Sequence, residues 1–359
     1  MNAKRIQLYA GAVAILFISI ALGAWYFEVD KTESLAQNPN KLRQTTAGKT
    51  IPQQTQKDGN TGPQTKTTSR KEVTLSVGSP GGVFEEVPDN EILSGGPGKD
   101  DIPSIDNPKF VSVKEASFLN DDEFGIGIVV DDVARFYPFQ ILVWHEIVND
   151  SIAGMPLAVT YCPLCRTGVA YERSIGGEVV EFGVSGMLWK SNLLMYNRSE
   201  PESLWSQVLG RAVKGPLTGT RLTIYPSDTV QFGDWKRAHP NTQVLSRDTG
   251  VFRLYGTDPY GDYYTNRDVS FGVSFSDTRL HPKEYVFGIE RDGKFKAYVA
   301  DSLPVGTTTD LFAGATITIE KSSTGEVRMF ADGEPLPIIG GFWFSWLAVH
   351  ENTELFDNN

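Results

Sequence analysis

The chain has 359 residues, of which 40% are hydrophobic and 21% charged, a balance typical of a globular protein with a sizeable core. The net charge of −11 is uneven: residues 1–30 balance and residues 31–75 carry a net of +5, which leaves −16 on residues 76–359. So acidic a region is a poor ligand for polyanions, which argues against nucleic acid as a partner.

The N-terminal residues 6–27 form one uncharged, apolar run. An α-helix of this length spans the roughly 30 Å hydrocarbon core of a bilayer. Lys4 and Arg5 precede the run and two acidic residues come after it, so we expect a cytoplasmic stub at residues 1–5 and a single-pass transmembrane anchor. The alternative is a signal peptide that is cleaved after export. Either interpretation places the rest of the chain outside the cytoplasm.

Residues 28–75 differ in composition from residues 76–359. They are rich in Thr, Gln, Lys, Asn and Gly and contain few large apolar side chains. Such a segment cannot bury enough surface to offset the entropy cost of ordering. We therefore expect a disordered tether that leads to a periplasmic or extracellular globular domain at residues 76–359. Within this domain we expect two subregions, at residues 90–250 and 251–359.

The globular region shows short apolar alternations between clusters of Gly, Pro, Asn and Asp, which predict strands. The predicted strands are Gly125–Val130, Arg135–Tyr137, Leu157–Tyr161, Gly168–Arg173, Val179–Val184, Leu194–Asn197, Leu222–Ile224, Val286–Glu290, Phe295–Val299, Thr316–Ile319 and Val327–Ala331. The predicted helices are Val113–Leu119, Pro138–Asn149, Gly233–Ala238 and Trp343–Val349. This pattern predicts a β-dominated α+β fold, with mainly antiparallel sheets or barrel-like subregions and few short helices.

Two weak internal similarities point to a duplicated architecture. Residues Gly127–Leu142 resemble Gly288–Leu303, and Asp234–Leu245 resemble Ser345–Phe356. The second similarity aligns Trp235 with Trp346 and His239 with His350. Coincidence between similar hairpins is the alternative, but duplication of one β architecture in a long and a short half is favoured.

Seven stretches together resemble one known family: GGPGKDDIPSIDNPKF from Gly95, ARFYPFQILVWHEIVND from Ala134, VTYCPLCRTGVAYER from Val159, FGVSGMLWKSNLLMYNR from Phe182, LWSQVLGRAVKGPLTGTRL from Leu204, YGTDPYGDYY from Tyr255 and RLHPKEYVFGIE from Arg279. The chain resembles the bacterial and archaeal family known as domain of unknown function 3179 (DUF3179). The similarity extends from about residue 90 to the end of the chain. This resemblance implies no established activity.

The sharpest chemical feature is Cys162-Pro163-Leu164-Cys165, which contains both cysteines of the chain. In an oxidising compartment the two thiols are expected to pair when no metal is present. This disulfide would contribute little to the stability of the fold, because closing a loop of about four residues stabilises the folded state by only roughly 2 kcal/mol. The motif is therefore better suited to thiol chemistry or metal ligation than to holding the fold.

Three interpretations of the cysteine pair remain open. In a redox site, Cys162 would be the nucleophile and Cys165 the resolving thiol. In a metal site for a zinc or copper ion, both thiolates would be ligands together with His145. In either site, Glu146 or Arg166 would tune the chemistry. The third interpretation is an inert pair in a non-catalytic envelope module that binds an unidentified protein or small molecule.

His145-Glu146 resembles the start of a zinc-protease motif, but that motif requires a second histidine four residues later, where this chain has Asn149. His145 remains a candidate general base or metal ligand. The plain alternative is a helix histidine that is hydrogen-bonded within the domain.

Overall fold

The computed structural model describes residues 84–357, which belong to the compact unit Val77–Asn359. The expected anchor at residues 6–27 and tether at residues 28–75 lie outside the described residues. Within residues 84–357, no helix is both long enough and apolar enough to cross a bilayer.

The described residues form many short strands and three helices of seven residues each. The strands are β1 (Ile92–Ser94), β2 (Phe110–Ser112), β3 (Phe124–Val130), β4 (Val133–Pro138), β5 (Ile147–Ile152), β6 (Met155–Cys162), β7 (Thr167–Glu172), β8 (Ser174–Ile175), β9 (Glu178–Val179), β10 (Phe182–Trp189), β11 (Asn192–Asn197), β12 (Leu204–Ser206), β13 (Arg211–Lys214), β14 (Ile224–Tyr225), β15 (Asp228–Gln231), β16 (Gln243–Leu245), β17 (Tyr285–Arg291), β18 (Lys294–Val299), β19 (Gly306–Phe312), β20 (Ala315–Lys321), β21 (Val327–Ala331), β22 (Glu334–Leu336), β23 (Ile339–Phe342) and β24 (Glu354–Leu355). The helices are α1 (Phe139–His145), α2 (Phe232–Ala238) and α3 (Trp343–Val349). The predicted β-dominated fold with few short helices is confirmed.

The strands assemble into five sheets of mostly antiparallel strands. Their orders are β1-β10-β11-β12-β13; β24-β18-β17-β23-β7-β6-β5, with β14 also paired to β7; β15-β3-β4-β16-β2; β19-β20-β21-β22; and β8-β9. Among these described strands, the parallel pairs are β4–β16 and β18–β24.

Two parts of the chain share one arrangement. In the first, the hairpin β3–β4 is flanked in its sheet by β15 and β16; in the second, β17–β18 is flanked by β23 and β24. A short helix, α2 or α3, precedes the parallel strand in each case. We call the two parts the first repeat and the second repeat, and their topology agrees with the duplication that the sequence favoured.

The repeats also share their central packing contact, a tryptophan ring laid on a hairpin glycine. A Cβ atom built on Gly127 would lie 2.4 Å from the ring of Trp235, and one on Gly288 would lie 2.4 Å from the ring of Trp346. Only glycine permits so close an approach. Each indole then donates a hydrogen bond to a threonine seven residues later, Thr242 at 2.9 Å and Thr353 at 3.0 Å.

The two repeats differ in one large insertion. Residues 173–227, which contain β8–β14, separate β7 from β15, whereas only the short strand β22 separates the matching strands β21 and β23. The repeats meet where Gly168 of β7 pairs with Gly340 of β23. This junction and the insertion surround the turn between β6 and β7, which carries both cysteines.

Four predicted elements differ from the structure, and one of them is the predicted strand Leu222–Ile224, which overlaps β14 only at Ile224. Residues 113–119 form turns, because a single Ala116 N–H to Ser112 carbonyl bond is not continued into a helix. The predicted helix Pro138–Asn149 ends at His145, and its last residues belong to β5. Strand β5 is buried on both faces except at one position, so it lacks the alternation that marks a strand. The predicted strand Val179–Val184 is divided between β9 and β10.

Candidate functional site

The cysteine turn connects two central strands. Strand β6 ends at Cys162, Pro163 opens a single 3-10 turn, and Arg166 has the left-handed conformation (φ 47°) that lets β7 begin at Thr167. Both thiols are free, and Cys162 and Cys165 are 2% and 0% exposed. The turn therefore points its sulfurs into the protein.

A second turn, between β10 and β11 of the insertion, faces the sulfurs. The carbonyl oxygen of Ser191 lies 3.2 Å from the sulfur of Cys165 and 3.9 Å from that of Cys162. Lys190 and Ser191 both have positive φ, 50° and 64°. Non-glycine residues are strained in this conformation, and such strain concentrates at functional sites.

Asn192 supplies a donor to one of the two sulfurs. Its Nδ2 lies 3.5 Å from the sulfur of Cys165 and 3.0 Å from Oε1 of Gln207. Its Oδ1 accepts a hydrogen bond from the backbone N–H of Val208 at 3.0 Å, which fixes the orientation of the amide. Because the amide cannot turn, an N–H group is held toward Cys165.

The two thiols are chemically unequal. Burial alone would raise the pKa of the Cys165 thiol, but hydrogen bonding from Cys162, Ser345 and Asn192 lowers this pKa below its ordinary value. The Ser345 hydroxyl has no partner in strict hydrogen-bonding geometry among residues 84–357, so it can turn its proton toward Cys165. Burial and the neighbouring Cys165 thiol raise the pKa of Cys162 well above its ordinary value.

Glu146 lies opposite the end of β6, where its carbonyl accepts a hydrogen bond from the N–H of Tyr161, the residue before Cys162, at 2.7 Å. Glu146 is 7% exposed, and burial followed by the nearby Cys162 raises the pKa of its carboxyl well above its ordinary value. None of the described residues donates a hydrogen bond to this side chain. Its backbone is also unusual (φ 58°, ψ −31°) at the end of α1. A buried, unpaired carboxyl in a strained backbone next to a cysteine is a candidate proton acceptor.

Residues 246–284, which connect the two repeats, cover this site. The hydroxyl of Tyr263 donates to the carbonyl of Leu164 inside the cysteine turn at 3.0 Å. The carbonyl of Phe271 accepts from the N–H of Ser191 at 3.0 Å. The Tyr260 ring packs against the apolar cluster that contains both cysteines, and burial followed by the charges of Glu146 and Cys162 raises the pKa of its hydroxyl well above its ordinary value.

The structure does not bring His145 to the sulfurs. Its Nδ1 lies 2.7 Å from the carbonyl oxygen of Pro103 and its Nε2 lies 2.6 Å from the hydroxyl of Tyr255, so both ring nitrogens are engaged elsewhere. Burial and the charge of Arg253 lower the pKa of His145 to about 4, although the hydrogen bond to Pro103 opposes this shift. In residues 84–357 no group of three or more His, Cys, Asp or Glu side chains is placed to hold a metal ion. The predicted three-ligand set is therefore not assembled in the described residues.

Arg166 lies at the edge of the site. Its guanidinium carbon lies 5.2 Å from the ring centre of Phe124 in β3 and 5.9 Å from that of Tyr264 in the connecting residues 246–284. The guanidinium therefore contacts aromatic rings from both elements. Sequence reasoning missed Asn192, Ser191 and Ser345, which come from the insertion and from α3. The available sequence signal was the polar Lys-Ser-Asn turn between two apolar strands.

The fold and site define a β-dominated protein of two unequal repeats, with a buried Cys-x-x-Cys turn beside a carboxyl group. The chain belongs to the family described as protein of unknown function (DUF3179), whose profile matches residues 99–332, and the resemblance noted from the sequence is confirmed. No curated protein and no solved structure matches the chain significantly. The matched region contains the cysteine turn, Glu146 and Asn192.

Proposed function

We propose that the chain is a thiol–disulfide redox protein in which Cys165 attacks a substrate and Cys162 resolves the mixed disulfide. The observation that carries this proposal is the unequal surroundings of the two sulfurs. Cys165 receives the fixed N–H group of Asn192, which stabilises a thiolate. Cys162 lies beside the unpaired carboxyl of Glu146. These roles are the reverse of those expected from the sequence.

The chemistry balances as a two-electron exchange. The Cys165 thiolate attacks one sulfur of a substrate disulfide, so that a new S–S bond forms and the other substrate sulfur leaves as a thiolate and takes up a proton. Cys162 then gives its proton to Glu146 and attacks the sulfur of Cys165. The Cys162–Cys165 bond forms, and the second substrate thiolate leaves and receives the proton from Glu146. The substrate is reduced to two thiols, and a dithiol donor returns the pair to its starting state.

Glu146 suits this proton transfer because of its environment. A general base works best when its pKa lies near the operating pH. Burial and the Cys162 thiol both move the pKa of Glu146 upward from its ordinary acidic value, toward that range. The carboxyl can therefore accept the proton of Cys162 and return it to the leaving thiolate.

Access to the sulfurs requires movement of the cover. Residues 255–272 contain one short 3-10 turn, Gly261–Tyr264, and no strand. The bonds Tyr263–Leu164 and Phe271–Ser191 attach the segment directly to the cysteine and Ser191 turns. Segments with few backbone hydrogen bonds open at low free-energy cost. We propose that the substrate reaches Cys165 when residues 255–272 lift away.

We also propose that the site works outside the cytoplasm on a membrane tether. The support is the apolar run at residues 6–27 with its positive N-terminal flank and the polar stretch at residues 28–75. Disulfides form and persist in such compartments. A protein that exchanges disulfides would find its substrates there.

A structural pair in a binding module is the second candidate, and burial favours it. Both cysteines belong to an apolar cluster that includes Val169, Val184 and Trp205. In that case the thiols fill space and never exchange. Experiment separates the two candidates, because an inert pair reacts only after unfolding.

Mixed-disulfide trapping with dithiobis(nitrobenzoate) tests the redox proposal on the folded protein. The wild type should release both halves of the reagent as thiolates and end with a Cys162–Cys165 bond. Cys162→Ser should release one half and keep the other on Cys165, whereas Cys165→Ser should react at least tenfold more slowly. Near-ultraviolet circular dichroism confirms that each variant is folded. If the wild type reacts only at the rate of global unfolding, the structural pair is correct.

A further inference from the structure

A second group of polar residues is separate from the cysteines. It includes Arg211, the first residue of β13, and Arg221, which lies between β13 and β14. Arg211 and Arg221 face each other across an isolated antiparallel bridge. Like charges in direct cross-strand contact destabilise a sheet. Nε of Arg211 is buried without a hydrogen-bond partner among residues 84–357. The ion pair of Arg221 is with Glu290, at 3.5 Å. The pair therefore carries more positive charge than its described neighbours neutralise.

His350, at the end of α3, faces the same charges. The residue is 6% exposed, and its Nδ1 has no hydrogen-bond partner among the described residues. Its ring is held between Phe295 and Trp346, with both ring centres 4.1 Å away. Burial and the charges of Arg221 and Lys190 together lower the pKa of His350 to about 3. Arg221 pairs with Glu290, which lies opposite Phe295 in the β17–β18 register, and Lys190 pairs with Glu351, the residue after His350. Two cations therefore lie in the neighbourhood of an imidazole whose Nδ1 has no partner among the described residues.

The matching histidine of the first repeat has its anion. His239 occupies the same place after Trp235 that His350 occupies after Trp346, and its ring lies 4.0 Å from that tryptophan. Nε2 of His239 lies 3.1 Å from a carboxylate oxygen of Glu326. His350 has no such ion pair among residues 84–357, and its charged neighbours are Arg221 and Lys190 of the insertion.

We propose that Lys190, Arg211, Arg221 and His350 form a binding site for a small phosphate-type oxyanion. Arginine presents a planar fork of N–H donors that matches phosphate geometry, and lysine adds a point charge. An anion would relieve the repulsion between Arg211 and Arg221 and would give Nδ1 of His350 a partner. Three cationic side chains share two carboxylates at the site, Glu290 at 3.5 Å from Arg221 and the largely exposed Glu351 at 3.8 Å from Lys190, so one positive charge is left uncompensated.

Isothermal titration of the full-length chain with inorganic phosphate, at constant ionic strength set by chloride, tests this site. We expect saturable binding by the wild type and at least tenfold weaker binding by Arg221→Gln. The control Arg237→Gln changes an exposed arginine on α2 and should bind as the wild type does. Equal binding by both variants, or no phosphate binding by the folded wild type, would overturn the proposal.

Thermal unfolding adds a readout that a merely structural role would not produce. In chloride, Arg211→Gln should melt close to the wild type, because the loss of repulsion from Arg221 offsets the loss of stacking on Phe84. In phosphate, only the wild type and Arg237→Gln should gain melting temperature. Vesicles that contain phosphatidylglycerol distinguish the source of the anion: the buried imidazole favours free phosphate, and binding to vesicles alone would overturn that assignment.

Discussion

Nδ2 of Asn192 lies 3.5 Å from the sulfur of Cys165, and the backbone of Val208 prevents the amide from turning away. The insertion of the first repeat thus supplies a donor to a cysteine in the turn between β6 and β7, outside the insertion. This contact makes the two thiols unequal, although they are only three residues apart.

Replacing this donor should raise the pKa of Cys165. In Asn192→Asp the N–H group is lost and an acid takes its place, so the thiolate is no longer favoured. We expect thiolate absorbance near 240 nm to appear at higher pH, and the reaction with a small disulfide to slow at least tenfold. Asn197→Asp is the matched control, because Asn197 is a buried asparagine on the same strand whose amide bonds to Ser199 and Pro201 instead. An equal shift in both variants would refute the specific role of Asn192.

Glu146→Gln should make the protein more stable and less active. Because the pKa of Glu146 is raised in the folded state, its stability contribution is lost as pH rises above the ordinary value. Glutamine does not titrate, so urea unfolding should show an advantage for the variant that grows as pH rises above the ordinary carboxyl value. Loss of the proton acceptor should slow the resolving step about 100-fold or more. A variant that resolves the mixed disulfide at the wild-type rate would remove Glu146 from the mechanism.

Gly127→Ala and Gly288→Ala should destabilise the two repeats to a similar extent. In each, the new methyl group would lie 2.4 Å from a tryptophan ring, and overpacking of this kind costs about 1–3 kcal/mol or more. Gly98→Ala is the control, since its nearest neighbour is the carboxylate end of the Asp101 side chain, and it should change stability by no more than about 0.5 kcal/mol. Urea unfolding measures all three variants. Near-neutral effects at both hairpin glycines would contradict the shared packing.

His145 should make the protein less stable in mild acid. Its folded pKa of about 4 lies below its ordinary value of 6.5, so the unfolded chain binds the proton first as pH falls through this window. This protonation removes about 2 kcal/mol of stability between pH 7.5 and pH 5. His145→Gln should lose this part of the pH dependence in urea unfolding. The same pH slope in wild type and variant would show that His145 titrates normally.

Tyr263→Phe should open the cover over the cysteines. The substitution removes one hydrogen bond to Leu164, worth about 1 kcal/mol, so labelling of the thiols by a maleimide should become about fivefold faster. Tyr264→Phe is the matched control, because the Tyr264 hydroxyl has no partner in hydrogen-bonding geometry within residues 84–357. Equal labelling rates in the two variants would show that residues 255–272 are not the barrier.

The sequence predicted those secondary-structure elements that are determined by residues close together in the chain. Trp343–Val349 is a helix with the predicted limits. Strand β5 was missed because burial on both faces leaves no alternation to detect. Asn192 could not be assigned, because only tertiary packing brings the insertion to the cysteine turn.

His145 and Glu146 illustrate why the site was only partly predictable. Both were candidates because they precede the cysteine strand in the chain. At the end of α1 the backbone turns through the unusual conformation of Glu146. As a result His145 bonds to Pro103 and Tyr255, while Glu146 lies beside Cys162. The short separation in sequence correctly placed both residues near the cysteine strand. It could not show which of the two side chains lies closer to Cys162.

The reduction potential of the Cys162–Cys165 pair tests the central claim most directly. The folded protein would be equilibrated with glutathione buffers of graded potential, and the disulfide fraction would be measured by alkylation and mass spectrometry. A redox site predicts a midpoint between about −270 and −120 mV. A midpoint below about −300 mV, or no disulfide in the folded protein at any potential, would contradict the account.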